Sequence, residues 1–179
     1  IIIGGGYISI ELCQAFIKNN LKVTIIEADN HLLNIFDDEF SDIIYDVMKQ
    51  KAGDKIEIIL NEKISEIVSD ENGNFKKVVT QSNKEFEADF CIISTGIKPN
   101  SEIALKAGVQ IGSTGAIYVD NKMRTSVSNI FAAGDCAQKY CITTKKPIYV
   151  GLGAIANKEG RVAAINAVGE PLYEIFEGI

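Results

Sequence analysis

Gly4 and Gly6 lie in the stretch IIIGGGYISIE, and an acid, Glu27, closes the apolar run VTIIE about 20 residues further on. Glycines at this spacing let a chain turn tightly after a strand and bring its backbone close to a phosphate. The first N–H groups of the helix that follows supply partial positive charge. A carboxylate at the end of the next strand would accept hydrogen bonds from both hydroxyls of an adenine ribose and would repel a 2′-phosphate. Together these residues lead to the expectation of a dinucleotide site that prefers NADH to NADPH; the competing reading is a plain tight turn and a solvated acid at a strand end. The pattern leaves G-x-G-x-x-G at one place: Ser9 stands where the third glycine belongs and asks for more room between helix and strand.

Other candidates are weaker taken singly. Glu11 falls one turn into the expected helix, and its neighbours Ile8, Ile10 and Leu12 suggest a covered segment. Gly134 and Asp135 close IFAAGD, where a carboxylate could take sugar-like hydroxyls or simply form a turn. Cys136 and Cys141 give C-x4-C, but neither stands at a helix start that would lower a thiolate pKa, so no redox role is expected of them. Cys13 and Cys91 sit in apolar segments, where a reduced, buried thiol is the ordinary state. His31 is the only histidine and lies in a polar loop; a solvated side chain and no metal site are expected.

The elements that must position these groups read as an α/β fold. The run at 1–3, a helix from Tyr7 to Lys18, the strand KVTIIE, a helix from Asp37–Glu39 to Gly53 and the strand KIEIIL make two crossovers between short apolar strands. Such runs are covered on both faces, which points to a Rossmann-like parallel sheet. The second helix carries an apolar stripe at Phe40, Ile43, Ile44 and Val47. From Lys63 to Ala88 the texture changes to alternating segments around Asn72-Gly73, an inserted β-meander, and DFCIISTG returns as a buried strand. Past residue 110, AIYVD and IFAAGD read as strand-like pieces, and a helix begins near Ala154 to Ala156. These last 70 or so residues hold too few elements for a core of their own.

Composition narrows the partners. A net charge of −6 without a Lys/Arg cluster disfavours nucleic acid and anionic membranes. No apolar run reaches the ~18 residues of a membrane span, and no signal-peptide pattern opens the chain, so a cytoplasmic location is expected.

The stretches IIIGGGYISIE, VTIIE, STGIKPN, RTSVSNIFAAGDCAQ and GLGAIANKEGRVAAINA, in this order, resemble the flavin-dependent pyridine nucleotide-disulfide oxidoreductases. The resemblance is to the branch of coenzyme A disulfide reductases, NADH oxidases and NADH peroxidases. It implies that Gly4, Gly6, Tyr7 and Ile8 serve the pyrophosphate and the nicotinamide channel, with Tyr7 covering the flavin when no nicotinamide is bound. Glu11 would lie beside the nicotinamide carboxamide, Glu27 on the adenosine ribose, and Gly96 in the same cleft. Gly134 and Asp135 would meet the ribityl chain of FAD, and Ala154, Ile155, Ala156 and Asn157 would set a helix N-terminus against the flavin pyrimidine edge.

The same resemblance implies what is missing: the first half of the FAD-binding domain with its redox cysteine, and a dimerisation domain. The expectation is an NAD(H)-binding domain over 1–110, and over 111–179 the returning part of a second, FAD-binding Rossmann-like domain. Such a portion of an FAD-dependent NAD(P)H oxidoreductase would hold no catalytic residue and be inactive alone. Residues 116–170 would keep an exposed apolar face, with partial disorder, altered packing or self-association through it. The competing expectation is a free-standing dinucleotide-binding or sensor module without chemistry.

Overall fold

The computed structural model describes residues 1–169 and 174–179. Its first unit, Ile1–Gly96, runs β1 (Ile2–Ile3), α1 (Tyr7–Lys18), β2 (Val23–Ile26), α2 (Asp38–Ala52), β3 (Ile56–Ile59), β4 (Ile64–Ser69), β5 (Phe75–Thr80), β6 (Glu85–Glu87) and β7 (Ile92–Ile93). Four strands form a parallel sheet in the order β3-β2-β1-β7, with Ile2 opposite both Ile25 and Ile92 and Val23 opposite Ile56. Successive side chains point to opposite faces, and β1 and β7 are apolar throughout, whereas β2 carries Thr24 and β3 an exposed Glu57. Ile2, Ile25, Ile56 and Ile58 pack beneath Cys13, Phe16 and Ile17 of α1 and Tyr45 and Met48 of α2. Ile1, Ile3 and Ile26 face Val78 of β5 and its neighbours Phe75 and Phe86.

The meander is antiparallel, β4-β5-β6, with Ile67, Val78 and Phe86 in register. Its first turn is tied by Asp70, which accepts the N–H groups of Asn72 and Asn74 at 2.9 and 2.8 Å; Gly73 there adopts φ +83°. The backbone N–H of Asn74 is the main reason the Asp70 carboxyl is held below its ordinary range.

α2 packs through a different face from the expected one. Ser41, Tyr45, Met48 and Ala52, spaced four, three and four, form the inward stripe, whereas Phe40, Ile43 and Val47 are exposed and Ile44 is half-buried. The apolar positions on the helix are wider than its contact, and the small Ser41 marks the close approach.

The second unit, Ile97–Ile179, contains α3 (Glu102–Lys106), β8 (Lys139–Cys141), β9 (Lys146–Ile148) and α4 (Gly153–Val168). AIYVD and IFAAGD do not form strands; only isolated bridges join Ile117 to Ile111 and Ala137, and Arg124 to Phe131. Tight turns interrupt the ladders: Asp120 accepts the N–H groups of Lys122 and Arg124, and Met123 and Asn129 have positive φ. The β8–β9 hairpin was not signalled by the sequence pattern. Against the size argument, a small core does form, from Val109, Ile117, Ala132 and Ala137 with Ala104 and Ile111 beside them. Because Ala104 and Val109 belong to it, residues 97–110 go with this unit. Residues 117–137 supply the rest of that core, and the apolar side chains left exposed include Tyr118, Tyr140, Ile142, Leu152 and Val168.

Among the described residues no helix is long and apolar enough to cross a membrane, and no cluster of His, Cys, Asp and Glu could hold a metal ion.

Candidate functional site

In a parallel sheet, ligands bind outside the carboxyl ends of the strands where the strand order reverses. In the first unit that point lies between β1 and β7, and a cleft of ≈ 520 Å³ opens there. Its floor is the loop Gly4-Gly5-Gly6 after β1. Glu27 to Asp29 after β2, Glu62 to Ile64 after β3, and Ser94 to Gly96 after β7 form its walls.

Each glycine of the loop has its own reason. Gly4 has φ +103°, and a Cβ there would stand 2.3 Å from the Ser94 carbonyl oxygen, so only glycine lets β1 leave past β7. At Gly5 a Cβ would meet Leu32 at 2.7 Å and the Glu27 carboxylate at 2.8 Å. Gly6 differs: its φ of −75° and ψ of 178° suit any residue, and no atom of the chain lies within 4 Å of where a Cβ would be. Nothing inside the protein requires glycine there, and the space beside it is open. Gly6 is also the N-cap of α1, which has no side-chain cap and no acid in its first turn, so the partial positive charge of the helix start is left to whatever occupies that space.

Glu27 is half-buried and fixed. Its Oε2 accepts the N–H of Gly5 and its Oε1 the N–H of Asp29 at 2.8 Å, which leaves the outer lone pairs of both oxygens for further donors. Tyr7 and Gly96 line the same cleft, Tyr7 at 38% exposure and Gly96 at φ +106°. The structure thus brings Gly4, Gly6, Tyr7, Glu27 and Gly96 together. Ile8 and Glu11 lie outside the cleft, both exposed; Glu11 borders a groove between α1 and α2, and the covered segment expected around it is not found.

Some cleft residues escaped the sequence reading. Glu62 is 7% exposed, paired with Lys84 and bonded by Ser82 Oγ at 2.8 and 2.9 Å; those bonds, Lys84 first, hold its carboxyl below the ordinary range. Leu33 and Ile35 reach the cleft from the loop after β2, where Leu33 N–H bonds the Gly5 carbonyl at 2.9 Å. Glu62, just past the end of β3, had that position as a signal; Leu33 and Ile35 had none. His31 is not simply solvated: Nδ1 lies 2.7 Å from Asn30 Oδ1 and Nε2 3.6 Å from Asp38.

In the second unit Gly134 and Asp135 open a short 3-10 turn, with Gly134 at φ +75°. A Cβ on Gly134 would stand 3.4 Å from Ala156 Cβ, so the turn rests on the first turn of α4. Asp135 is exposed, and its Oδ2 lies 3.1 Å from where a Cβ of Gly151 would be, just ahead of that helix. α4 begins at Gly153 and carries Ala154, Ile155, Ala156 and Asn157 in its first turns. It too has no side-chain cap and no early acid. A carboxylate beside an uncapped helix start can hold hydroxyls and a group that gains negative charge. Beneath the turn lies a pair that the sequence did not signal, Lys139 and Glu159, 3.0 Å apart and each 1% exposed.

All four cysteines are free thiols. Cys13 is fully buried and desolvation pushes its thiol up to about 11, in keeping with an inert core residue. Cys141, by contrast, is held below the ordinary thiol value by hydrogen bonding from Thr144, whose N–H lies 3.5 Å from the sulfur.

The chain is similar to known proteins along nearly its whole length. The chain is 40% identical over 182 residues to an NAD(P)H sulfur oxidoreductase (CoA-dependent) of Pyrococcus abyssi, a match that takes in 100% of this chain and 38% of that relative. Among solved structures it resembles an NAD-dependent persulfide reductase from A. fulgidus, with a TM-score of 0.88 and 36% identity over 99% of this chain and 32% of that one. It also resembles a water-forming NADH oxidase from Lactobacillus brevis bound to NADH, with a TM-score of 0.81 and 30% identity over 96% of this chain and 37% of that one. Residues 1–167 match the family described as pyridine nucleotide-disulphide oxidoreductase, and the chain belongs to that family.

Proposed function

We propose that the cleft at the carboxyl edge of the parallel sheet binds NADH, and that Gly134, Asp135 and the first turn of α4 bind part of FAD. The setting is a flavoprotein that passes hydride from NADH to FAD and on to a disulfide, peroxide or oxygen. The observation that carries the reading is the empty space beside Gly6, at an uncapped helix start and in one cleft with the fixed Glu27 carboxylate. A pyrophosphate fits that space, taking backbone N–H groups and the helix field, while an adenosine ribose fits the outer lone pairs of Glu27. A 2′-phosphate would meet a carboxylate that two backbone N–H groups hold in place. The relatives named for sulfur and persulfide reduction, and the oxidase solved with NADH, support the same reading.

When bound, the nicotinamide supplies hydride and the flavin accepts it. The chain's own contribution is placement: Tyr7 and Gly96 shape the cleft wall, Asp135 offers a carboxylate to hydroxyls, and Ala154 to Asn157 present the positive end of α4. Substitution of Gly6 by alanine tests the proposal. The backbone there already suits alanine and no atom obstructs it, so the melting temperature should stay within ~2 °C of wild type. A methyl in the phosphate space should lower NADH affinity at least ~10-fold in a calorimetric titration. Unchanged affinity would refute the assignment.

A further inference from the structure

Lys139 and Glu159 lie behind the candidate flavin-binding turn, and what they hold is more informative than that they pair. Lys139 Nζ donates to the carbonyls of Gly134 and Ala137, the latter at 2.9 Å, and forms an ion pair with Glu159 Oε2 at 3.0 Å. Glu159 Oε2 accepts the N–H of Gly134 at 2.8 Å. The peptides on both sides of the Gly134 Cα are therefore gripped, one through its N–H by the carboxylate and the other through its C=O by the ammonium. Those two grips set the rotation about Gly134, which stands at φ +75°, and so set where the exposed Asp135 points.

Burial of two charges contributes little net stability, because desolvation offsets most of the attraction; apolar residues of similar volume often serve as well. This pair is not even complete, since Glu159 Oε1 is buried without a partner. Stability alone gives no reason for these residue types; the grip on Gly134 does. We propose that Glu159 and Lys139 are positioning residues that fix the Gly134–Asp135 turn, so that the Asp135 carboxylate is presented to the hydroxyls of a bound flavin nucleotide. The proposal rests on the flavin reading given above.

The test combines hydrogen exchange with FAD titration of the whole chain. In the wild type the Gly134 amide should exchange as slowly as Val162 of α4; fast exchange there overturns the proposal without any variant. In the double variant Lys139→Met, Glu159→Leu, apolar side chains of similar volume replace the pair. Gly134 exchange should then accelerate at least ~100-fold with Val162 unaffected, and FAD affinity should fall at least ~10-fold. Restoring an acceptor with Lys139→Met, Glu159→Gln should recover part of the Gly134 protection and of the FAD affinity together. Lost protection with unchanged FAD affinity, or lost affinity with Gly134 still protected, overturns the positioning role. Where the wild type binds no FAD, the exchange rates alone decide whether the pair grips the turn.

Discussion

Replacing Glu27 by alanine separates what this carboxylate does for the fold from what it does for a ligand. In the protein it accepts the N–H groups of Gly5 and Asp29. Asp29 is exposed, so water replaces the carboxylate there at little cost; Gly5 is buried, and its orphaned N–H should cost about 2 kcal/mol. For a chain of this length that is a fall of ~4–8 °C in melting temperature, visible by circular dichroism. Binding should respond differently to the two nucleotides. NADH loses charge-assisted hydrogen bonds to both ribose hydroxyls, together ~3 kcal/mol, which is roughly 100-fold in Kd. NADPH, which makes no such bonds in the wild type, is relieved of repulsion between a carboxylate and a 2′-phosphate, ~1–2 kcal/mol in a solvated cleft. It also gains the Gly5 and Asp29 N–H groups as donors. Its Kd should fall about tenfold at low ionic strength, and less in high salt, where screening weakens the repulsion in the wild type as well. Paired titrations of wild type and Glu27→Ala with both nucleotides decide the matter. If the NADH Kd stays within ~3-fold of wild type, or if both nucleotides weaken in parallel, Glu27 does not read the ribose and the reasoning fails.

Ser9→Ala should stabilise the protein by ~1 kcal/mol, because the Ser9 hydroxyl is fully buried without a partner and alanine is the better helix former. A lower urea midpoint in the variant would show that the hydroxyl has an acceptor after all. Cys13 should make stability pH-dependent on the alkaline side: its thiol is raised from 9.0 to about 11 in the fold, so the native state favours the neutral form. Stability is then unaffected below pH 9 and declines from there to about pH 11 as the unfolded chain ionises first, by on the order of 2 kcal/mol. Urea midpoints between pH 8 and 11 should fall less steeply in Cys13→Ala, with a residual slope from Cys91, whose thiol burial also raises.

The parallel sheet was legible because short runs such as 1–3 and 23–26, with Ile2 and Ile25 in the core, are nearly continuous in apolar residues, as strands covered on both faces are. That Gly4, Gly6 and Glu27 share one cleft was legible because the turn after β1 and the end of β2 fix where each stands. α2 was legible as a helix but not in its rotation, since Phe40, Ile43 and Val47 are as apolar as the residues that face inward and only packing distinguishes them. Glu11 is exposed although Leu12 beside it packs on the core, because the helix turns that face outward. Glu62, Leu33 and Ile35 enter the cleft from loops whose course depends on contacts distant in sequence. The second unit was least legible, because its order comes from turns and side-chain bonds rather than from a periodic pattern.

The two units meet the same structural demand in different ways. Each places a glycine ahead of an uncapped helix start and a carboxylate beside it. In the first unit the ladder sets the loop: Gly4 N–H bonds the Ile26 carbonyl at 2.8 Å, Leu33 N–H takes the Gly5 carbonyl, and Glu27 is steadied by the loop it faces. Backbone bonds between strands hold Gly4 there, and the half-buried Glu27 carboxylate holds the Gly5 N–H. In the second unit no extended ladder runs into Gly134; the nearest are single bridges at Ile117 and Phe131. A glycine at positive φ with no ladder to hold it would sample other conformations, and Asp135 would move with it. A buried Lys139–Glu159 pair supplies by side chains what strand pairing supplies in the first unit. On this argument the charges at 139 and 159 are required wherever the turn lacks a ladder, and grafting a strand pair onto 131–134 should make them dispensable.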